Sequence, residues 1–345
     1  VTSPSCITCC EAAGMMEEVL ATARYNAKVD PSLGIWTWEI AFYLFLGGMA
    51  AGIMLFAAWA VLGRKEETLT FAHNRFALWA PIVLSLGMTT LFLDLEYKLH
   101  VFRFYTSFEP TSPMSWGAWI LVLIYPMMVL QILSTLRAGY PTLARFVERI
   151  PWGGLLLSVC ENRRRLIAWG VVPLAVGLGI YTGVLLSAFS ARPFWNSGVL
   201  GPLFLISGMS TAAVLPILAG AKPAERHFFE VTDIGLIFIE LTLIAIFLVS
   251  LATGAEQHME SLALVTGGVY TEPFWLWFVL PGLLVPILFE AVGLRGYRAF
   301  ALTAAVLVVY GGFMLRYLMV EIGQVSTWTE YAIQFDPQLL QRLTQ

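Results

Sequence analysis

Long apolar runs broken by short polar stretches organise the whole chain. Runs of about 20 apolar residues, the length an α-helix needs to cross a bilayer core, lie at 35–62, 75–94, 114–136, 166–188, 198–219, 231–252, 273–293 and 299–320. They predict an all-α integral membrane protein with eight transmembrane helices. A strand reading fails, because no alternating ten-residue pattern is present and a lone apolar strand would leave its backbone groups unpaired in lipid. Pro81, Pro126, Pro173, Pro202, Pro216, Pro281 and Pro286 fall inside the runs, where packed membrane helices tolerate kinks. The stretch Gly47-Gly48-Met49-Ala50-Ala51-Gly52 reads as a close helix–helix contact. The expected organisation is an N-terminal tail over 1–34, a membrane domain over 35–320 and a C-terminal tail over 321–345.

Composition agrees and narrows the partners. The 345 residues are 58% hydrophobic and 12% charged, against roughly a quarter charged in soluble domains, so lipid must be the solvent for much of the surface. A net charge of -3 argues against a nucleic-acid partner. The first 34 residues are polar and mixed, so the first apolar run is expected to serve as the insertion signal. The four cysteines, Cys6, Cys9, Cys10 and Cys160, make no disulfide framework. No His follows the Cys6-x-x-Cys9-Cys10 run, so it is not a c-type haem attachment site. It lacks partners for a complete metal site, and a tail with spare thiols is its plain reading.

Eight spans put both ends of the protein on one side, and Lys and Arg choose the side. Six lie on the terminal side: Arg24, Lys28, Lys98, Arg103, Arg192 and Arg342. Thirteen lie on the opposite side, in the connections that hold Arg64, Arg75, Arg137 to Arg165, Lys222, Arg226, Arg295 and Arg298. The opposite face is therefore expected to be cytoplasmic and both termini external. The longest connections are 137–165, basic and partly amphipathic, and 253–272, acidic.

Ionisable residues inside spans are costly and usually face a cavity or a partner. Glu39 and Tyr43, four apart, share one face of the first helix. Asp94 ends the second, Tyr181 lies late in the fourth, and Arg316 and Glu321 lie late in the eighth. All map to the terminal half. Asp233, Glu240 and Glu290 form a second group, from the opposite end toward mid-membrane, with Asp233 and Glu240 seven apart on one helix face. For Asp94, Asp233 and Glu321, near helix ends, snorkelling or solvation is the alternative. Tyr43 and Tyr181 could instead be interface-belt aromatics, and Glu39, Glu240 and Arg316 could serve structural pairing alone. The four histidines, His73, His100, His227 and His258, sit in connections or at helix ends. They offer no facing pair for a bis-histidine haem, so no haem is expected in this protein.

Two connections on the terminal side are rich in aromatic and turn residues. Ser107-Phe108-Glu109-Pro110-Thr111-Ser112-Pro113-Met114-Ser115-Trp116-Gly117-Ala118-Trp119 leads into the third helix, and Arg192-Pro193-Phe194-Trp195-Asn196 joins the fourth to the fifth. Flat apolar walls with Asn and Tyr hydrogen-bonding groups suit a planar headgroup carrying two carbonyls; an ordinary aromatic belt is the alternative.

These segments, with Trp36 to Gly52 (WTWEIAFYLFLGGMAAG), follow one another in the order seen in the NrfD/PsrC family, which the protein resembles over essentially its whole length. The resemblance implies two four-helix bundles without haem, in a prokaryotic inner membrane. It implies a quinone site (menaquinone or ubiquinone) near the outer face. It also implies an extracytoplasmic iron–sulfur partner, with a molybdopterin catalytic subunit or a multihaem cytochrome beyond it. Tyr181, ahead of RPFWN, matches the family's quinone-binding tyrosine. Glu39 and Tyr43 occupy positions where a family member has Asn and His. Asp94 sits near a carboxylate position assigned to a proton route; Asp233, Glu240 and Glu290 match no family motif. The quinone-site candidates are thus Glu39, Tyr43, Trp116, Tyr181, Asn196 and His100, and the proton-route candidates Asp94, Asp233, Glu240, Glu290 and Arg316. A stand-alone secondary transporter and a purely structural anchor are the competing readings.

Overall fold

The structure is a computed structural model that describes residues 36–95, 98–100, 102–106 and 108–326. Cys6, Cys9, Cys10 and nearly all of the two expected tails lie outside these residues. Eight helices are long and apolar enough to cross a membrane: α1 Trp38–Leu62, α2 Thr70–Asp94, α3 Pro113–Gly139, α4 Arg164–Ser187, α5 Leu200–Leu218, α6 Pro223–Ala252, α7 Pro273–Gly293 and α8 Arg298–Val325. No strand occurs among the described residues. Short helices fill the connections, among them Arg103–Thr106, Pro141–Glu148, Gly153–Asn162 and Glu256–Thr266.

Each set of four helices closes a ring. In the first, α1 packs on α2 and α4, and α3 completes the circuit between α2 and α4; in the second, α5 packs on α6 and α8, and α7 on α6 and α8. The rings meet where α1 and α4 lie against α5 and where α1 touches α8. α1 is accordingly the most buried span. Its small residues permit that: a Cβ on Gly52 would come within 2.5 Å of the Gly208 carbonyl oxygen, and one on Gly208 within 2.4 Å of the Gly48 oxygen. α1 and α5 thus cross backbone to backbone, as the Gly47–Gly52 stretch predicted.

α7 departs from regular α geometry, being π-wound over Pro273–Leu284 before continuing as an α-helix over Val285–Gly293. Pro281 and Pro286 lie in this span, and each lacks the N–H that an α-helical ladder needs. Widened winding of this kind is frequent near functional sites.

Some helices outrun their apolar cores. α2 begins at Thr70 rather than at 75, and α6 at Pro223 rather than at 231. A residue in the first turn of α6 explains the start of α2. Leu69 precedes α2 and cannot cap it, but the buried Glu225 of α6 accepts from Phe71 N and Ala72 N, each at 2.9 Å. A carboxylate at the positive end of a helix dipole is doubly favourable. Replacing Glu225 by Ala is expected to cost about 2 kcal/mol, whereas Glu225→Gln keeps one acceptor and costs about half. Thermal unfolding midpoints in detergent should fall in the order wild type, Gln, Ala; equal midpoints would remove the capping role.

The face with both described ends, the terminal face, is held by a clasp. Trp36 N donates to Gln324 Oε1 and Gln324 Nε2 to Trp36 O, both at 2.8 Å. The buried Arg192 donates to the carbonyls of Gln324 and Ser326 at 3.0 and 3.1 Å. Trp195 Nε1 donates to Met319 O at 2.6 Å, and its ring stacks on Trp36 at 5.2 Å. The Arg-Pro-Phe-Trp segment thus ties the α4–α5 connection to the first and last spans.

Candidate functional site

At the terminal-face end of the first ring lies a cavity of about 220 Å³. Ile40, Leu44, Met88 and Leu121 supply apolar wall, and Tyr43, Asp94, Tyr105 and Tyr181 the polar groups. Tyr43 and Tyr181 are buried in the bundle. Among the described residues no hydrogen bond within the protein uses the hydroxyls of Tyr43, Tyr105 or Tyr181, so all three remain for a guest. The volume is below the ~300–1,000 Å³ of pockets that engulf a whole drug-sized ligand.

Each wall follows from a helix end. α1 brings Tyr43 inward in its second turn, α2 terminates at Asp94, and α4 presents Tyr181 before its last turn. α3 opposes Tyr181 with Gly117, and no larger residue fits: a Cβ there would lie 1.9 Å from Tyr181 Cζ. Tyr105 arrives from the short helix Arg103–Thr106, which folds over the end of the ring. Burial raises the Tyr105 phenol above its ordinary value, so it stays a protonated donor across the working range of pH.

The structure therefore unites Tyr43, Asp94 and Tyr181 from the sequence candidates and adds Tyr105, which sequence reasoning missed. The remaining candidates do not line the cavity. Glu39 is half-buried one turn nearer the face, accepts from Thr37 Oγ1, and is close enough to Asp94 for the two carboxyls to repel. Trp116 is exposed, its indole N–H donating to Pro110 O at 2.7 Å. Asn196 is exposed. His100 is exposed on the turn Lys98–His100, with its ring beside Phe102.

A second polar system runs through the other ring. Glu230, Asp233 and Glu240 are buried on one face of α6. Glu230 pairs with Arg226 at 3.3 Å near the opposite face. Asp233 Oδ1 accepts from Ser210 Oγ at 2.6 Å, and Glu290 of α7 lies against Asp233. Arg316 belongs to this system: its guanidinium donates to the carbonyls of Phe204 and Gly312 at 2.7 and 2.9 Å and to Ser207 Oγ. It also lies over the Phe204 ring at 5.0 Å. Glu240 faces Arg316 across Ser207. Among the described residues Asp233 Oδ2, Glu240 Oε1 and both Glu290 oxygens have no hydrogen-bond partner. Among the described residues no group of His, Cys, Asp and Glu could hold a metal ion.

Fold and cavity together define a multi-pass helical membrane protein with a phenol-lined cavity in one ring and a set of buried carboxyls with an arginine in the other. The protein belongs to the NrfD polysulphide reductase family, whose model matches residues 27–327. It is 28% identical over 307 residues to a component of the polysulfide reductase of Wolinella succinogenes, with 84% of this sequence and 94% of that protein covered. It is 30% identical over 307 residues to the protein NrfD of Escherichia coli, with 85% and 96% covered. It is 28% identical over 212 residues to a component of the tetrathionate reductase of Salmonella typhimurium, with 61% and 55% covered.

Proposed function

We propose that the protein is the quinone-reactive membrane subunit of a respiratory reductase complex. The observation that carries this reading is the cavity in which the hydroxyls of Tyr43, Tyr105 and Tyr181 face apolar walls beside Asp94. A quinone headgroup fits it, because Gly117 leaves the ring of Tyr181 its place and the phenols lack partners of their own. A bound quinol supplies two electrons and two protons, and a quinone takes them up. Tyr181 and Tyr43 donate hydrogen bonds at the carbonyl positions, and Asp94, at the membrane boundary, passes protons to or from water. The remaining wall excludes water from the ring.

The terminal face, poor in Lys and Arg, is extracytoplasmic in this reading and docks an iron–sulfur subunit of the complex. A molybdopterin subunit or multihaem cytochrome lies beyond it. Similarity to components of a polysulfide reductase and a tetrathionate reductase supports such partners. A stand-alone transporter would hold its pocket centrally between repeats, whereas this cavity lies inside one ring. A purely structural anchor has no use for a cavity lined by free phenols.

The second ring supplies a proton route from the cytoplasmic face through Glu230, Glu290, Asp233 and Ser210 toward Glu240 and Arg316. Unpaired buried carboxyl oxygens are what water bridges in such a route. It reaches α1 near Gly48, where a Cβ would lie 3.1 Å from Arg316 Nη2. Tyr43 is five residues further along α1, about 7.5 Å at 1.5 Å per residue.

In the intact complex Tyr181→Phe is expected to lower quinol-coupled turnover about tenfold, the worth of one hydrogen bond of ~1.4 kcal/mol. Reduction of the catalytic subunit by an artificial dye should be unchanged. Unaltered quinol kinetics would remove the quinone reading.

A further inference from the structure

A second recess lies in the crease between α7 and α8, again opening at the terminal face but in the other ring. It has a volume of about 530 Å³. Its upper end carries the carboxylate of Glu321 beside the phenols of Tyr270 and Tyr317, and its lower part is walled by Trp277, Leu318 and Met314. Glu321 interacts electrostatically with both phenols. Among the described residues Glu321 has no cationic partner, and no hydrogen bond within the protein uses it or either hydroxyl. Trp277 is 55% exposed, so the crease opens sideways as well as upward.

Charge and depth together identify the occupant. One carboxylate flanked by aromatic faces is a site for a cation, and the two phenol O–H groups can donate to an anionic oxygen a few ångströms away. A group carrying an ammonium and a phosphate side by side meets both. From Glu321 down to Met314, α8 descends seven residues, about 10 Å at 1.5 Å per residue. The lower half of the crease therefore lies at acyl-chain depth, below the reach of a protein bound outside the membrane. We propose that this crease is a binding site for a phospholipid with a primary ammonium headgroup. Glu321 accepts from the ammonium, Tyr270 and Tyr317 donate to the phosphate, and one acyl tail lies along Trp277, Leu318 and Met314.

Native mass spectrometry of the complex as purified from its own membrane tests this. The complex is first delipidated, then offered phosphatidylethanolamine, phosphatidylcholine and phosphatidylglycerol in equal amounts. The ethanolamine lipid should be retained about tenfold over the glycerol lipid, with the choline lipid between them, since its quaternary ammonium has no N–H to donate. Glu321→Gln should remove that preference while leaving total lipid retention near its wild-type level. Trp277→Ala should lower retention of all three. Equal retention by the wild type, an undiminished preference in Glu321→Gln, or no retained lipid at all would overturn the proposal.

Discussion

Gly117→Ala should abolish quinol-coupled turnover, with a loss of at least about 100-fold. The added methyl would lie 1.9 Å from Cζ and 2.2 Å from the hydroxyl oxygen of Tyr181, far inside contact distance. α4 packs on both α3 and α1, so the space open to the ring is the cavity it lines. Either the ring swings into the cavity and takes the place of the headgroup, or α3 moves out and the cavity opens. Both remove the oriented phenol, and misplacing a positioned group by about 1 Å can itself cost ~100-fold. The effect therefore exceeds the tenfold expected from Tyr181→Phe, which deletes the hydroxyl and keeps the ring in place. Combining the two changes separates the causes. Gly117→Ala with Tyr181→Phe should remain as impaired as Gly117→Ala alone, because Cζ still clashes. Gly117→Ala with Tyr181→Leu should regain the thermal stability of the wild type but not its turnover. Near-normal quinol kinetics in Gly117→Ala would mean that Tyr181 does not act from the position seen here.

That residue shows where sequence reading reaches and where it stops. The eight spans were legible because run length and composition alone decide them. Their ends were not, since α2 is capped by Glu225, 154 residues from Phe71, and no local pattern signals a partner so distant. Tyr43, Asp94 and Tyr181 were legible as polar groups in the terminal half of their helices. Trp116 and Asn196 drew attention as parts of aromatic segments, but their neighbours face inward. One residue along a helix turns the side chain by about 100°, so Gly117 faces the cavity and Trp116 faces away. In the same way Trp195 turns in to the Met319 carbonyl and leaves Asn196 outside. Glu39 shares a face with Tyr43 but sits one turn too near the boundary to line the cavity. Tyr105 gave no signal, because it lies in a polar connection whose return over the ring is a tertiary event. Arg316 was legible as a buried charge in the terminal half, but only the packing of α8 on α5 reveals that it joins Glu240 in the other ring.

Arg316→Met should be the most destabilising single change in the second ring. The guanidinium satisfies the Phe204 and Gly312 carbonyls and the Ser207 hydroxyl and faces Glu240. Removing it leaves two buried carbonyls and a buried hydroxyl without their donor and the buried Glu240 without its neighbouring positive charge, losses that together are expected to cost about 3–5 kcal/mol. The expected result is a large loss of folded protein in the membrane. Glu240→Gln alone should be far milder, since Arg316 keeps its carbonyl and hydroxyl partners. Arg316→Met combined with Glu240→Gln should recover much of the lost yield, because no uncompensated charge remains. Once folded, the double variant also tests the route. Reconstituted in vesicles with its complex, it should turn over quinol without acidifying or alkalinising the lumen beyond what the quinone site itself releases. Glu240→Gln should show the same uncoupling with normal stability. If Glu240→Gln leaves the lumenal pH change per turnover intact, the set of buried carboxyls with its arginine is a packing device. In that case the double variant should lose nothing but the strength of the junction between α8, α5 and α6.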